Sequence, residues 1–95
     1  MEKWQGKIAV VTGASAGIGA AIVRDLAKAG INVIALARRI EKLEALKDEL
    51  KGAPGKVTAL RCDVSNKASV EATFKTIEER FGVVNILINN AGVVR

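Results

Sequence analysis

A run of glycines and small residues at positions 12–19 has the residue types that point most directly to chemistry. It directly follows an aliphatic segment and precedes a helical pattern. Its sequence is Thr12-Gly13-Ala14-Ser15-Ala16-Gly17-Ile18-Gly19. A strand-to-helix turn of this kind gathers backbone N–H groups and the positive end of a helix around one point. The run therefore predicts an anion-binding loop suited to a pyrophosphate, with glycines that let the backbone approach the ligand.

The spacing of these glycines excludes two other phosphate loops. The loop of nucleoside triphosphatases requires Gly-Lys-Ser/Thr, whereas Gly19 is followed by Ala20 and Ala21. The pattern G-x-G-x-x-G requires a glycine where Ile22 stands. The glycine run therefore has the pattern T-G-x-x-x-G-x-G. A glycine-rich turn without a ligand is the alternative, and the entropy that three glycines lose on folding weighs against it.

Two cations follow the second aliphatic segment, at Ala37-Arg38-Arg39. A site for NAD usually has an acid about 20 residues beyond the glycines, to bind the ribose 2′-hydroxyl. The first acid here is Glu41. Guanidinium groups match phosphate geometry, so Arg38 and Arg39 favour NADP over NAD. A bound 2′-phosphate would also offset the cost of about 0.3–1 kcal/mol for each cation before a helix. Two solvated arginines without a ligand are the alternative.

Residue types that are absent limit the chemistry. The chain has no histidine, which excludes a histidine-based triad or metal site, and we predict no metal. It has no tyrosine either. The single cysteine, Cys62, cannot form an intramolecular disulfide; it fits a small apolar residue in a buried strand and a cytoplasmic, reducing location.

The net charge of +5 suggests an anionic partner, either a nucleic acid, a membrane surface or a phosphorylated small molecule. The basic residues are scattered, and only Trp4, Phe74 and Phe81 are aromatic, which disfavours a nucleic-acid surface. The longest uncharged stretch, Ile8–Val23, is too short and too polar for a membrane span. A phosphorylated small molecule therefore remains the favoured partner.

Four short aliphatic runs alternate with three segments of helical period. The runs predict strands at Ile8–Val11, Asn32–Ala37, Val57–Arg61 and Val83–Ile88. The helical stripes are Ile18, Ile22, Leu26 and Ala29; Leu43, Leu46 and Leu50; and Val70, Phe74, Ile77 and Phe81. Strands that alternate with helices form a parallel sheet. We therefore predict one α/β domain of order β-α-β-α-β-α-β, part of a Rossmann-type, doubly wound sheet.

The sequence also predicts the residues that cap the helices. Gly30, Gly52 and Gly82 each follow the last periodic residues, where a left-handed C-cap favours glycine. Ser65 precedes the third helix and is predicted to cap its exposed N–H groups.

Two further motifs complete a family resemblance. Cys62-Asp63-Val64 ends the third predicted strand, and Asn89-Asn90-Ala91-Gly92 ends the fourth. Together with the glycine loop, in this order and spacing, they resemble the short-chain dehydrogenases/reductases over essentially all 95 residues.

The resemblance implies roles for individual residues. Asp63 would bind the adenine amino group beside Val64, and Asn89 would mainly brace the sheet. The alternatives are a surface acid near a helix start for Asp63 and a plain turn for the asparagines. The cofactor-binding residues so predicted are Gly13, Ser15, Gly17, Ile18, Gly19, Arg38, Arg39, Asp63, Val64, Asn90, Ala91 and Gly92.

The family's catalytic tyrosine and lysine, in a Y-x-x-x-K pattern, have no counterpart in this chain, so we predict no catalytic residue. Residues 1–95 are expected to be the NADP-binding N-terminal half of an NADP-dependent dehydrogenase/reductase and to be inactive alone. The complete enzyme would act on CH–OH or carbonyl groups of small, lipophilic alcohols or ketones, since Met1–Lys7 faintly resembles family members with such substrates. It would form oligomers through parts of the family fold beyond Arg95. The alternative is a truncated, non-catalytic NADP-binding module.

Overall fold

The computed structural model describes residues 6–14 and 17–89. Strands and helices alternate along them, as the sequence predicts. The elements are β1 (Ile8–Thr12), α1 (Gly17–Lys28), β2 (Asn32–Ala37), α2 (Ile40–Glu49), β3 (Val57–Arg61), α3 (Lys67–Phe81) and β4 (Ile86–Asn89).

The fourth strand begins later than its apolar run predicts. Val83 is 76% exposed and Val84 packs against the core beside α3, so both belong to the connection from that helix. Strand pairing starts beside Asn85, which bonds to Ile8 through both its backbone N–H and its side-chain oxygen, each at 2.9 Å. The apolar run therefore includes an exposed residue and part of a connection as well as the strand.

The four strands form one parallel sheet in the order β3-β2-β1-β4. The chain winds outward from β1 through β2 to β3, and then crosses to the other side of β1. This reversal confirms the predicted doubly wound arrangement. Its location matters for function, because ligands of such sheets bind at the carboxyl ends of the strands beside the reversal.

The core has two layers, one on each face of the sheet. Val33, Ala35 and Ala37 of β2 pack with α1 and α2, whereas Ile34 and Leu36 pack with α3. Both faces of β1 and β2 are therefore buried, which explains why these strands are continuously apolar rather than alternating.

An ion pair connects α1 and α2 at the surface. Arg24 donates from Nε and from a terminal nitrogen to the two carboxylate oxygens of Glu49, at 2.6 and 3.1 Å. Both side chains are about half exposed, so solvent screens this pair and it is a weak surface contact.

Two of the three predicted glycine C-caps are correct. Gly30, two residues after the end of α1, and Gly82, directly after α3, take positive φ angles of 89° and 82°. Gly52 does not cap α2, which ends at Glu49. Leu50 occupies the C-cap with φ −99°, because its buried side chain anchors the helix end in the core.

The predicted cap of α3 is one residue too early. Asn66 is the N-cap, and its side-chain oxygen accepts a hydrogen bond from the Ser69 backbone N–H at 3.1 Å. Ser65 instead bonds to Asp63, a contact considered below. Within the described residues, no helix combines the length and apolarity that crossing a membrane requires.

Candidate functional site

The carboxyl ends of β1 and β4 meet where the sheet reverses its winding. The Thr12 hydroxyl donates to the side-chain oxygen of Asn89 at 3.0 Å. This contact gives Asn89 the bracing role that the resemblance implied. The space above these strand ends is where a doubly wound sheet binds its ligand.

The glycine loop leaves β1 at this point and leads into α1. Gly13 and Gly17 take positive φ angles of 62° and 60°, which side chains rarely adopt. Ala14 is fully buried, and its N–H donates to the Leu36 carbonyl at 3.1 Å, which fixes the loop against β2. Among the described residues, no atom lies within 4 Å of where a Cβ on Gly17 would stand.

The first turn of α1 suits an anion. It contains no acidic residue. Gly19 is buried against the sheet, whereas Ile18 is 72% exposed beside the loop. Open backbone at a positive helix end, without a competing carboxylate, is the arrangement that binds a phosphate. The residues present therefore fit the predicted pyrophosphate.

A cavity of about 320 Å³ lies beside the loop at the ends of β1, β2 and β3. We call it the aspartate cavity. It brings together four predicted site residues from separate parts of the chain: Gly13, Arg38, Asp63 and Val64. The full lining is Gly13, Ala37, Arg38, Cys62, Asp63, Val64 and Ser65.

Asp63 is held firmly at the edge of this cavity. One carboxylate oxygen, Oδ1, accepts hydrogen bonds from the Ser65 hydroxyl at 2.6 Å and the Ser65 backbone N–H at 3.0 Å. The Asp63 N–H donates to the Ser69 hydroxyl at 3.2 Å. Among the described residues nothing donates to the other oxygen, Oδ2, which leaves it available to a ligand amino group.

These contacts also set the charge of Asp63. The Ser65 hydroxyl, followed by the Ser65 backbone, holds the pKa of the carboxyl below its usual value, and the charges of Arg38 and Arg61 act in the same direction. Asp63 is therefore ionised at neutral pH. The hydrogen bonds that Asp63 makes with Ser65 and Ser69 were not predicted from the sequence. The spacing of Ser65 two residues after Asp63 is the signal that could have indicated a local side-chain turn.

A second cavity, of about 390 Å³, lies at the start of α2. We call it the arginine cavity. It is lined by Arg38, Arg39, Ile40, Glu41 and Arg61. Arg39 is the N-cap of α2 and its side chain makes no capping bond. The cavity is therefore lined by three arginines and lies at a helix start whose N-cap side chain makes no capping bond.

Arg38 lines both cavities, so the two cavities adjoin each other. Arg61 is the member of this site that sequence reasoning missed. It ends β3 and is the register partner of Ala37 on β2, which places it beside Arg38. Only the strand pairing brings these residues together.

The remaining predicted site residues are Ser15, Asn90, Ala91 and Gly92, and they lie outside the described residues. Two larger cavities, of about 470 and 490 Å³, lie away from the carboxyl edge of the sheet. One is formed by the end of α2 and the start of β3, and the other by the end of α3 and its connection to β4. Neither contains a predicted site residue.

The fold and this site define a class of protein. A doubly wound parallel sheet, with a glycine turn at the winding reversal and open charged cavities beside it, is the Rossmann-type architecture. Comparison with known sequences identifies a family within this architecture. The profile of the short chain dehydrogenase family matches residues 7–95, and the chain belongs to this family.

Curated relatives include two animal dehydrogenases. The chain is 54% identical over 96 residues to farnesol dehydrogenase of Aedes aegypti, covering 100% of this chain and 39% of that protein. It is 43% identical over 97 residues to human dehydrogenase/reductase SDR family member 11, covering 100% of this chain and 37% of that protein. The chain thus spans about two-fifths of the length of the curated relatives it matches.

Solved structures show the same fold with a cofactor bound. A metagenomic short-chain oxidoreductase in complex with NADP has a TM-score of 0.89 and 42% identity, over 95% of this chain and 41% of that one. An alcohol dehydrogenase from the archaeon Thermococcus sibiricus, complexed with 5-hydroxy-NADP, has a TM-score of 0.81 and 43% identity, over 85% of this chain and 35% of that one.

Proposed function

We propose that this chain binds NADP(H) and supplies the dinucleotide-binding part of an oxidoreductase that acts on CH–OH or carbonyl groups. The observation that carries the proposal is the position of Arg38, which lines both the aspartate and the arginine cavity. In adenosine 2′-phosphate the base and the phosphate are on adjacent ribose carbons. Two adjoining cavities that are both lined by Arg38 match this arrangement.

The aspartate cavity is proposed to hold the adenine. Its walls include Ala37 and Val64, and the free Oδ2 of Asp63 can accept a hydrogen bond from the exocyclic amino group. The arginine cavity is proposed to hold the 2′-phosphate, since guanidinium groups form strong, charge-assisted hydrogen bonds with phosphate oxygens. Solved relatives of more than 40% identity with NADP or 5-hydroxy-NADP bound support this choice of cofactor.

The glycine loop is proposed to bind the pyrophosphate through backbone N–H groups at the start of α1. Gly13, Gly17 and Gly19 allow this approach, and Ile18 is exposed beside it. We assign the further contacts of the cofactor to Ser15 in the loop and to Asn90, Ala91 and Gly92 after β4. A bound nicotinamide would supply or accept hydride; the residues named here bind and orient the cofactor.

The proposed substrates are small, lipophilic alcohols or ketones. The 54% identity to a protein named farnesol dehydrogenase supports this substrate class. We propose that residues 1–95 alone bind the cofactor without catalysing turnover, because the chain has no tyrosine to serve as the acid or base of the family. Oligomers are proposed only for a longer chain. The unpaired, buried thiol of Cys62 supports a reducing, cytoplasmic location.

Equilibrium titration with NADPH and NADH, followed by fluorescence or calorimetry, tests the cofactor assignment. We expect NADPH to bind about tenfold or more tightly than NADH, because a 2′-phosphate gains charge-assisted bonds in the arginine cavity. Arg38→Ala should remove most of this preference. Arg80→Ala is the matched control, since Arg80 is exposed on α3 and lies over the Phe81 ring instead of lining either cavity. Equal affinity for the two cofactors in the unaltered chain would contradict the proposal.

A further inference from the structure

We infer that Arg61 is a specificity-determining residue, which binds the 2′-phosphate of NADP(H) together with Arg38 and Arg39. The inference rests on the proposed function, and it assigns a role to a residue that belongs to neither the glycine loop nor the arginine pair after β2. Its basis is that three arginines, Arg38 and Arg39 after β2 and Arg61 at the end of β3, line one cavity at the start of α2.

The strand register places Arg61 at the site. β3 is the edge strand and pairs in parallel with β2, with Arg61 opposite Ala37. Arg38 follows Ala37 directly, so the last residue of β3 lies beside the arginine pair. Alternate residues of β3 face α2, since Val57 and Ala59 pack into the core on that side. Arg61 continues this alternation beyond the core, where it lines the arginine cavity with Arg39 and Ile40.

The charges of the cavity indicate an anion rather than a structural role for Arg61. Three arginines line the cavity with one acidic residue, Glu41. Among the described residues the ion pair within 4.0 Å is Arg24–Glu49, which does not involve this cavity. Arg61 is exposed. A doubly charged phosphate in the cavity would be attracted by all three cations.

Arg61 also acts on the aspartate cavity, and the experiment must separate the two effects. Its charge contributes to the lowered pKa of Asp63, so its removal could disturb adenine binding as well. NADH contains the same adenine but lacks the 2′-phosphate. A loss of adenine contacts therefore weakens both cofactors, whereas a loss of 2′-phosphate contacts weakens NADPH alone.

The test measures dissociation constants for NADPH and NADH in the unaltered chain, Arg61→Ala, Arg61→Met and Arg80→Ala, at one fixed salt concentration. Arg61→Met retains much of the aliphatic length, while Arg80→Ala removes the same charge at a distance from the site. Circular dichroism of each variant reports its fold. We expect both Arg61 variants to weaken NADPH about tenfold and NADH less than about twofold, with Arg80→Ala unchanged. In titrations with fragments of the cofactor, the Arg61 variants should likewise weaken 2′-AMP more than 5′-AMP.

The outcomes distinguish this inference from the proposed function. If the unaltered chain prefers NADPH and Arg38→Ala removes that preference, but the Arg61 variants retain it, only the role of Arg61 is overturned. Equal weakening of NADPH and NADH by the Arg61 variants also overturns it. If the unaltered chain does not prefer NADPH, the proposed function itself fails, and the inference about Arg61 fails with it.

Discussion

The Thr12 hydroxyl and the Asn89 side-chain oxygen lie 3.0 Å apart and join the ends of β1 and β4. Thr12 is 5% exposed and Asn89 is exposed, so the bond is partly buried. It connects the strand that leads into the glycine loop with the strand across the winding reversal. The edge of the site therefore depends on a side-chain contact between residues 77 positions apart in sequence.

Thr12→Val should lower the free energy of unfolding by about 1–2 kcal/mol, because it removes this buried hydroxyl while keeping the shape of the side chain. Urea denaturation provides the measurement. Thr12→Ser retains the hydroxyl and is the matched control, expected to lose less. If the valine and serine variants are equally stable, the bond does not contribute as described.

Gly55→Ala should destabilise the fold by about 2–3 kcal/mol. A Cβ at Gly55 would clash with the backbone oxygen of Ile31, which cannot rotate away. Gly52→Ala is the control in the same connection, since its Cβ would meet no atom within 4 Å and its φ is not positive. It should be neutral or slightly stabilising. Thermal unfolding compares the two; equal destabilisation would argue against the close approach at Gly55.

Ser65→Ala should raise the pKa of Asp63 part of the way toward its usual value, because it removes the hydroxyl hydrogen bond, the largest cause of the lowering, and keeps the backbone N–H bond. A carboxyl whose pKa is lowered by folding stabilises the fold above its unfolded pKa, and this stabilisation is lost as pH falls through the folded pKa. The pH dependence should therefore appear below about pH 4, the ordinary range of aspartate.

Carboxyl-detected NMR titration measures the Asp63 pKa directly. Ser65→Thr keeps the hydroxyl and should keep the pKa low. Thr76→Ala deletes a hydroxyl that bonds to Ala72 within α3, away from Asp63, and should leave the Asp63 pKa unchanged. An unchanged pKa in Ser65→Ala would show that the Ser65 hydroxyl does not control this carboxyl.

Glu41→Gln should tighten NADPH binding about two- to threefold while leaving NADH nearly unaffected. Glu41 is the one carboxylate that lines the arginine cavity, and its charge opposes a 2′-phosphate. Raising the salt concentration should reduce the gain, because the site is exposed. Glu44→Gln removes the same charge from an exposed position on α2 outside the cavity, and a similar gain there would point to net charge rather than to the site.

Much of the site could be predicted from the sequence, because its main parts are local. The glycine loop, the arginine pair after β2 and Asp63 after β3 each need only a strand end and the residues that follow it. Parallel pairing then brings these strand ends to one edge of the sheet. The same locality explains the correct order of elements and the glycine caps at Gly30 and Gly82.

The predictions that were wrong depended on packing. Leu50 ends α2 in place of a Gly52 cap because its side chain is buried, and Asn66 takes the cap that the sequence assigned to Ser65. The Ser65 hydroxyl instead bonds to the Asp63 carboxylate. The burial of Leu50 depends on how α2 packs against the rest of the core, which a single sequence does not specify.

The sequence by itself determined the kind of site, since backbone conformation and charge at each strand end follow from nearby residue types. Tertiary structure alone decided which distant side chains share that site. Arg61 becomes the neighbour of Arg38 through the register of β2 and β3, and Thr12 bonds to Asn89 through the pairing of β1 with β4. Register is a property of two strands packed together, so it exists only once the whole sheet has formed.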